Sequence, residues 1–539
     1  MMRFALFLVL LSACGDAGSF DDPMSTGGAG GETVPRGSGD AGGAGGQSAF
    51  CRGVLCDDGN ECTDDSCDPS TGDCLFEPVA VNTTCDFAGA PGLCEEGVCN
   101  DAAPCSGVVC DDGLECTTDV CVPSTGSCSG ILLPEATMCG QGAGQCRSAL
   151  CVEPSWGEPR NLGVLSIASS IVPLPQAAAD AAGRTTAVWL SQRRDWTWTV
   201  VSSRYTPGLG WSPLAGLGVG QQSDADAVDL AVSPNGEAIA VWMQRDTPPS
   251  IYSNRYRPDR GWGLPLLVEN NRAQVARDPQ IGIDASGNGI AVWLRSGRVY
   301  ANHFSEAGIW GEPQRIGYDS DGASSPRIGV DAEGNATVIW FQSGDVFASH
   351  YSVESGWKPA APIESSNDSL TGLPDLAVSP SGEAVALWIE RHTGRHDLYA
   401  NVYSPAAGWK GPQVVDRPPG AVYSARVAID PNGDALLVWV QLDGFDRRVY
   451  ANRYTVEDGW GAAIALEDED LGEAIEPSVS FDENGRALAI WTQTDGLQRG
   501  LRGSRFLPEL GWGEPELIAP LARDQLGVFA PCVAAGTEG

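Results

Sequence analysis

The sequence predicts an all-β chain over most of its length, and three observations carry that reading. Past residue 152, two tryptophan series recur with a period of about 50 residues. Each repeat divides into four short strand-like runs separated by turn residues. The second run of each repeat, such as Ala-Leu-Leu-Val-Trp-Val at 435–440, is apolar on both faces, as a strand sandwiched between neighbouring sheets must be. Seven repeats of four strands over 153–539 predict a seven-bladed β-propeller, preceded by a small disulfide-rich region of two repeats and a disordered linker.

In chain order, the first segment is an export signal, 1–13: a basic Met-Met-Arg start, the apolar run Phe4–Leu11, then small residues before Cys14. Leu11-Ser12-Ala13-Cys14 resembles the lipobox of bacterial lipoproteins. That resemblance implies cleavage before Cys14, a diacylglyceryl group on its sulfur, and a membrane hold through acyl chains. Residues 14–50 are dominated by Gly, Ser, Ala and Asp, with too few large apolar side chains to offset the entropy of ordering, and are expected to form a flexible tether. Gly15, where the inner-membrane retention signal resembled here would carry Asp, favours an outer-membrane or cell-surface address.

Sixteen of the 18 cysteines fall within 51–152, split into units 51–104 and 105–152. Cys51, Cys56, Cys62, Cys67, Cys74, Cys85, Cys94 and Cys99 are matched by Cys105, Cys110, Cys116, Cys121, Cys128, Cys139, Cys146 and Cys151. Eight cysteines per unit in an exported chain allow four bridges, which units too small to build an apolar core require; the pairing itself stays open among 105 possibilities. The absence of any C-x-x-C and of histidine from the block argues against zinc. Cys56-Asp-Asp-Gly-Asn-Glu-Cys62-Thr-Asp-Asp-Ser-Cys67 and Cys110-Asp-Asp-Gly-Leu-Glu-Cys116-Thr-Thr-Asp-Val-Cys121 resemble the C-T-x-D-x-C repeats of slime-mould matrix proteins. The resemblance implies an extracellular structural or adhesive stalk. Asp57, Asp58 and Asp64 offer hard oxygen ligands, and calcium is the one cofactor expected to be able to use them.

In the repeat region one tryptophan series runs Trp156, Trp211, Trp262, Trp310, Trp357, Trp409, Trp460, Trp512, and the other Trp189, Trp242, Trp293, Trp340, Trp388, Trp439, Trp491. Within 424–466 the expected strands are 425–430, 435–441, 448–454 and 460–466. Turns such as Asp284-Ala-Ser-Gly and Asp430-Pro-Asn-Gly suit tight hairpins. The pattern resembles sialidase-like and bacterial lectin propellers, although the tryptophan follows the turn at a different spacing from a sialidase Asp-box. That resemblance implies a fold and leaves function to the site.

The balance of 70 acidic to 33 basic side chains, net −37, excludes nucleic acid as a partner. The regular hairpin turns and the variable loops emerge on opposite rims, and variable loops on a rigid scaffold usually carry binding residues. Trp196 and Trp198 stand outside both tryptophan series in one such loop, where indoles suit stacking on sugars. Arg391, His392 and His396 occupy another. Asn254, Asn302, Asn401 and Asn452 recur in the aromatic third strand, either as equivalent sugar contacts or as packing between blades. No Ser–His–Asp order, phosphate loop or H-E-x-x-H occurs, so no catalytic residue is assigned. The expectation is a non-enzymatic, lipid-anchored recognition protein that presents a glycan- or protein-binding rim. A sialidase-like glycoside hydrolase and a purely structural envelope protein are the alternatives.

Overall fold

A computed structural model describes most of residues 56–152 and 175–521, together with Leu162, Cys532 and Ala534. No α-helix forms among them. The chain divides into two compact units, with the boundary between Pro154 and Ser155. The export signal 1–13, Cys14, Cys51 and the whole linker 14–50 lie outside the described residues, as do the side chains of Cys139, Cys146 and Cys151.

The cysteine-rich unit is built from short hairpins. In its first repeat Thr63–Cys67 pairs with Cys74–Pro78, and Thr84–Phe87, Ala90–Glu95 and Val98–Asp101 form a three-stranded sheet. The second repeat begins likewise, Thr117–Cys121 against Cys128–Leu132. Bridges join Cys56 to Cys74, Cys62 to Cys94, Cys85 to Cys99, Cys105 to Cys121 and Cys110 to Cys128. Cys67 and Cys116 are also disulfide-bonded. Cys62, Cys94 and Cys116 are fully buried, so sulfur stands where larger domains place leucine.

Between residues 176 and 521, seven antiparallel sheets follow one another. The sixth is typical: Val422–Ile429, Ala435–Asp443 and Asp446–Thr455, with an outer strand broken into Gly459–Trp460 and Ile464–Ala465, both pairing the third. The expected continuous strand over 460–466 is thus interrupted. Its first-to-second turn shows why Asp-x-x-Gly recurs. Asp430 accepts the amides of Asn432 and Asp434 at 2.8 and 2.9 Å, and Gly433 takes a φ of 90°, open to glycine.

Successive sheets meet face to face, most closely through their first strands, giving a propeller-like succession. Small residues permit that approach: a Cβ on Gly329 would meet the Val378 side chain of the next sheet at 2.2 Å. Each joint is filled by the second-strand tryptophan. Trp242, Trp293, Trp340, Trp388, Trp439 and Trp491 are fully buried. Trp242, for example, packs on Val188, Leu190, Val200 and Leu217 of the sheet before it. In five of these six the indole N–H is satisfied two residues on, by Gln244, Gln342, Glu390, Gln441 or Gln493, whereas Trp293, with Arg295 at that position, keeps a buried indole N–H without a partner.

Leu162, six residues beyond Trp156, packs beside Trp189 of the first sheet as Leu217, six beyond Trp211, packs beside Trp242. The first and seventh sheets each have their own outer strand, so no strand is shared between the two ends among the described residues. On the innermost strands, Asp229 accepts the amide of Ile281 at 2.8 Å and Asp375 that of Val427 at 3.1 Å, each reaching across to the next sheet.

Candidate functional site

Between the third strands of neighbouring sheets, one position repeats with changing chemistry. Arg204, Arg255 and Arg453 lie over the next sheet's Tyr256, Phe304 and Phe506, with 4.7, 5.5 and 5.3 Å from guanidinium carbon to ring centre. Each is matched by a carboxylate: Arg204 by Asp180 at 2.6 Å, Arg255 by Glu237, and Arg453 by Asp434 at 2.9 Å. At the same register the third and fourth sheets carry histidine. His303 lies 4.3 Å from the Tyr351 ring, and His350 is stacked 4.0 Å from Tyr403. There the residue after the turn is neutral: Asn288 and Asn335 donate to Asp284 and Asp331, each at 2.8 Å. Burial lowers the pKa of both imidazoles, that of His350 to about 4 with help from Lys358.

Outside this joint, the Gly-Trp turns place a second set of indoles against third-strand aromatics, as in Tyr205–Trp211 at 5.5 Å and Tyr256–Trp262 at 5.6 Å. Between the first and second sheets the space stays open as a cleft of 610 Å³. It is lined by Ser202, Ser203, Arg204, Trp211, Tyr256 and Trp262 together with small residues of the turns. Leu209 and Leu264, 86% and 84% exposed, project from the same two turns. The mix of half-buried aromatic faces, hydroxyls and backbone groups is that of a small-ligand site.

The residues singled out from the sequence lie elsewhere. Trp196 projects from a turn of the first sheet, 65% exposed, with a φ of 71°. Trp198 instead packs into the joint with the second sheet, its amide donating to Asp224 at 2.6 Å. Arg391 and His396 face each other across the second and third strands of the fifth sheet. Those strands, Ala384–His392 and Arg395–Ser404, extend through most of what reads as a loop. His396 Nδ1 lies 3.1 Å from the Val422 carbonyl, and the His392 side chain is outside the described residues.

Asn254, Asn302, Asn401 and Asn452 are at most 2% exposed. Asn302 donates to the Val268 and Gly311 carbonyls at 2.7 and 3.0 Å, and Asn401 to Ile363 at 2.8 Å. These asparagines tie each sheet to the one before it. Asp57, Asp58 and Asp64 do not form a three-ligand cluster among the described residues. Asp58 accepts the Thr63 hydroxyl and the Asn60 amide, Asp57 accepts the Gly59 amide, and Asp64 is exposed. Cys532 is unbridged, and desolvation pushes its thiol up to about 12, which keeps it protonated.

The cleft residues that the sequence reading passed over are Ser202, Ser203, Arg204, Trp211 and Trp262. Their signal was the repeat itself: the Gly-Trp tryptophans mark a packing position that is also a surface.

Residues 55–79 and 109–129 match the family model described as the Dictyostelium (slime mold) repeat. No curated protein sequence matches the chain. Among solved structures it is similar to the BP39L lectin of Burkholderia pseudomallei, at 13% identity, 64% of this chain and 98% of that one, with a TM-score of 0.47. It is also similar to a NanB sialidase variant of Streptococcus pneumoniae (9% identity, 61% and 66% covered, TM-score 0.35). A third is a PL25 ulvan lyase (9% identity, 50% and 77% covered, TM-score 0.37).

Proposed function

We propose that the chain is a cell-envelope recognition protein whose repeat region closes into a seven-bladed ring and binds glycans in the clefts between blades. The observation that carries this reading is the cleft between the first two sheets, where Trp211, Trp262 and Tyr256 flank a line of hydroxyls. Sugars present apolar C–H faces and polar edges together, and aromatic walls with fixed polar groups complement both. Seven successive sheets and the packing of Leu162 on the first support a closed ring, since an open stack would leave apolar end faces exposed. The Leu11–Cys14 motif supports a lipid anchor, the Gly-rich segment a tether, and the bridged repeats a stiff spacer. In this reading the molecule binds rather than cleaves.

The test is the full chain on immobilised polysaccharides and a glycan array. Saturable binding that falls at least tenfold in Trp211→Ala, without new reducing ends in the polysaccharide, supports the reading. Release of sugar would replace it with a hydrolase.

A further inference from the structure

Resting on the glycan reading, we infer that the cleft between the first and second sheets takes an uncharged, hydroxyl-bearing sugar, anchored by Ser202 beneath the Trp211 and Trp262 rings. Two independent observations lead there.

The first is an unmet hydroxyl. Ser202 is 1% exposed and lines the cleft, and its Oγ has no hydrogen-bond partner. One sheet further on, its counterpart Ser253 accepts the Trp310 indole N–H at 2.8 Å, which closes that joint. Trp262 stands in the place of Trp310 but makes no such bond, so the serine and its cleft remain open. Elsewhere the pairing is lost from the other side. Ala301 and Ala400 occupy the serine position, and the facing indole nitrogens of Trp357 and Trp460 are buried without a partner. Only the first joint therefore combines an open cavity with a desolvated hydroxyl awaiting a partner, among the described residues. An unsatisfied buried polar group is costly, and a ligand hydroxyl that exchanges a hydrogen bond with Ser202 removes that cost.

The second is the charge balance of the walls. Among the described residues Arg204 is the one ionised side chain lining the cleft, and its donors are already engaged. Its Nη2 donates to Asp180 at 2.6 Å, its Nη1 donates to Thr186 Oγ1 at 2.7 Å and to the Gly236 carbonyl at 3.3 Å, and its plane covers Tyr256. Two further hydroxyls are also engaged, Ser203 donating to the Ser212 carbonyl at 2.7 Å and Ser212 accepting the Arg204 amide at 3.0 Å. A uronate or sialate carboxylate entering here would lose its water and meet no free cation, with Asp180 just behind the guanidinium. A neutral ring bears no such penalty. The 610 Å³ of space fits one or two sugar units.

The test titrates the full chain, by intrinsic tryptophan fluorescence and calorimetry, with neutral hexose and N-acetylhexosamine trisaccharides and with the same cores ending in glucuronate or sialate. Neutral ligands should bind at least tenfold more tightly than acidic ones. Ser202→Ala should weaken the neutral ligands about tenfold and Trp262→Phe several-fold, with circular dichroism unchanged, while Trp196→Ala leaves binding as it is. Preference for the acidic ligands would overturn the uncharged class and leave glycan recognition standing. Neutral binding indifferent to both Ser202→Ala and Trp262→Phe would overturn the assignment to this cleft. Failure of every sugar to bind would remove the glycan reading itself.

Discussion

The joint after the second sheet and the joint after the fourth solve the same packing problem with opposite electrostatics. In the former, Arg255 is wedged against Phe304, its side chain 8% exposed, and Glu237 neutralises it. In the latter, a neutral imidazole, His350, fills the same space against Tyr403, and Asn335 stands where the acid would be. Cation and anion were exchanged together for two uncharged groups, and the third sheet repeats the change with His303 and Asn288. The lesson is that a desolvated charge is tolerated only in company. The joints of one chain vary in what they hold, while the balance within each is kept.

The strongest way to break this comparison is to remove one partner. Glu237→Ala leaves the Arg255 guanidinium buried without its acid and should cost about 3–5 kcal/mol in urea unfolding. Asn335→Ala, which removes the side-chain bond to Asp331 and the one accepted from the Val353 amide, should cost about 1–2 kcal/mol. Similar losses in both would mean that the two joints do not differ in kind.

Acid should separate the two joints next. The folded pKa of His350, about 4, lies below the unfolded value near 6.5, so the unfolded chain takes up the proton more readily. Stability supplied by the neutral ring is full above pH 6.5 and falls away between 6.5 and 4, by up to about 3 kcal/mol. Lys358 and the Tyr403 phenol are the titratable groups beside this ring, and neither offers a carboxylate. Asp229 and Glu467, whose carboxyls burial raises to about 6 and about 7, give the opposite slope over overlapping pH. The informative quantity is therefore the difference between the wild type and His350→Phe, measured by thermal unfolding from pH 4 to 8. A difference that stays flat with pH would show that the ring does not titrate in its joint.

The smallest effect expected is a rescue. His350→Arg alone places an unmatched cation in the fourth joint, and Asn335→Glu added to it rebuilds the pair found in the second sheet. A double-mutant cycle should return a coupling of about 1 kcal/mol in favour of the pair. Zero coupling would show that position in the repeat, rather than charge balance, selects these residues.

Much of this was legible in the sequence because packing repeats and therefore leaves a period. The second-strand tryptophans, the Asp-x-x-Gly turns and the small first-strand residues each follow from one local requirement imposed seven times. The cleft was harder to read, since it arises where the repeat is slightly imperfect. Ser202 differs from Ser253 only in whether a distant indole reaches it, and no spacing records that. The buried asparagines show the converse. Asn302 repeats with its aromatic neighbours as a binding stripe would, yet its partners, Val268 and Gly311, are backbone carbonyls of no distinctive sequence. The Arg–Glu and His–Asn exchanges were visible at matching positions, although their meaning depends on knowing that the two residues touch.

The carboxylates of Asp229 and Asp375, each occupying a main-chain amide of the next sheet's innermost strand, bear on how such a molecule avoids its own kind. An unoccupied amide along an exposed strand invites a stray segment from another copy to dock and extend the ladder. With those donors claimed from within, a chain crowded beside its siblings gives them fewer places to graft.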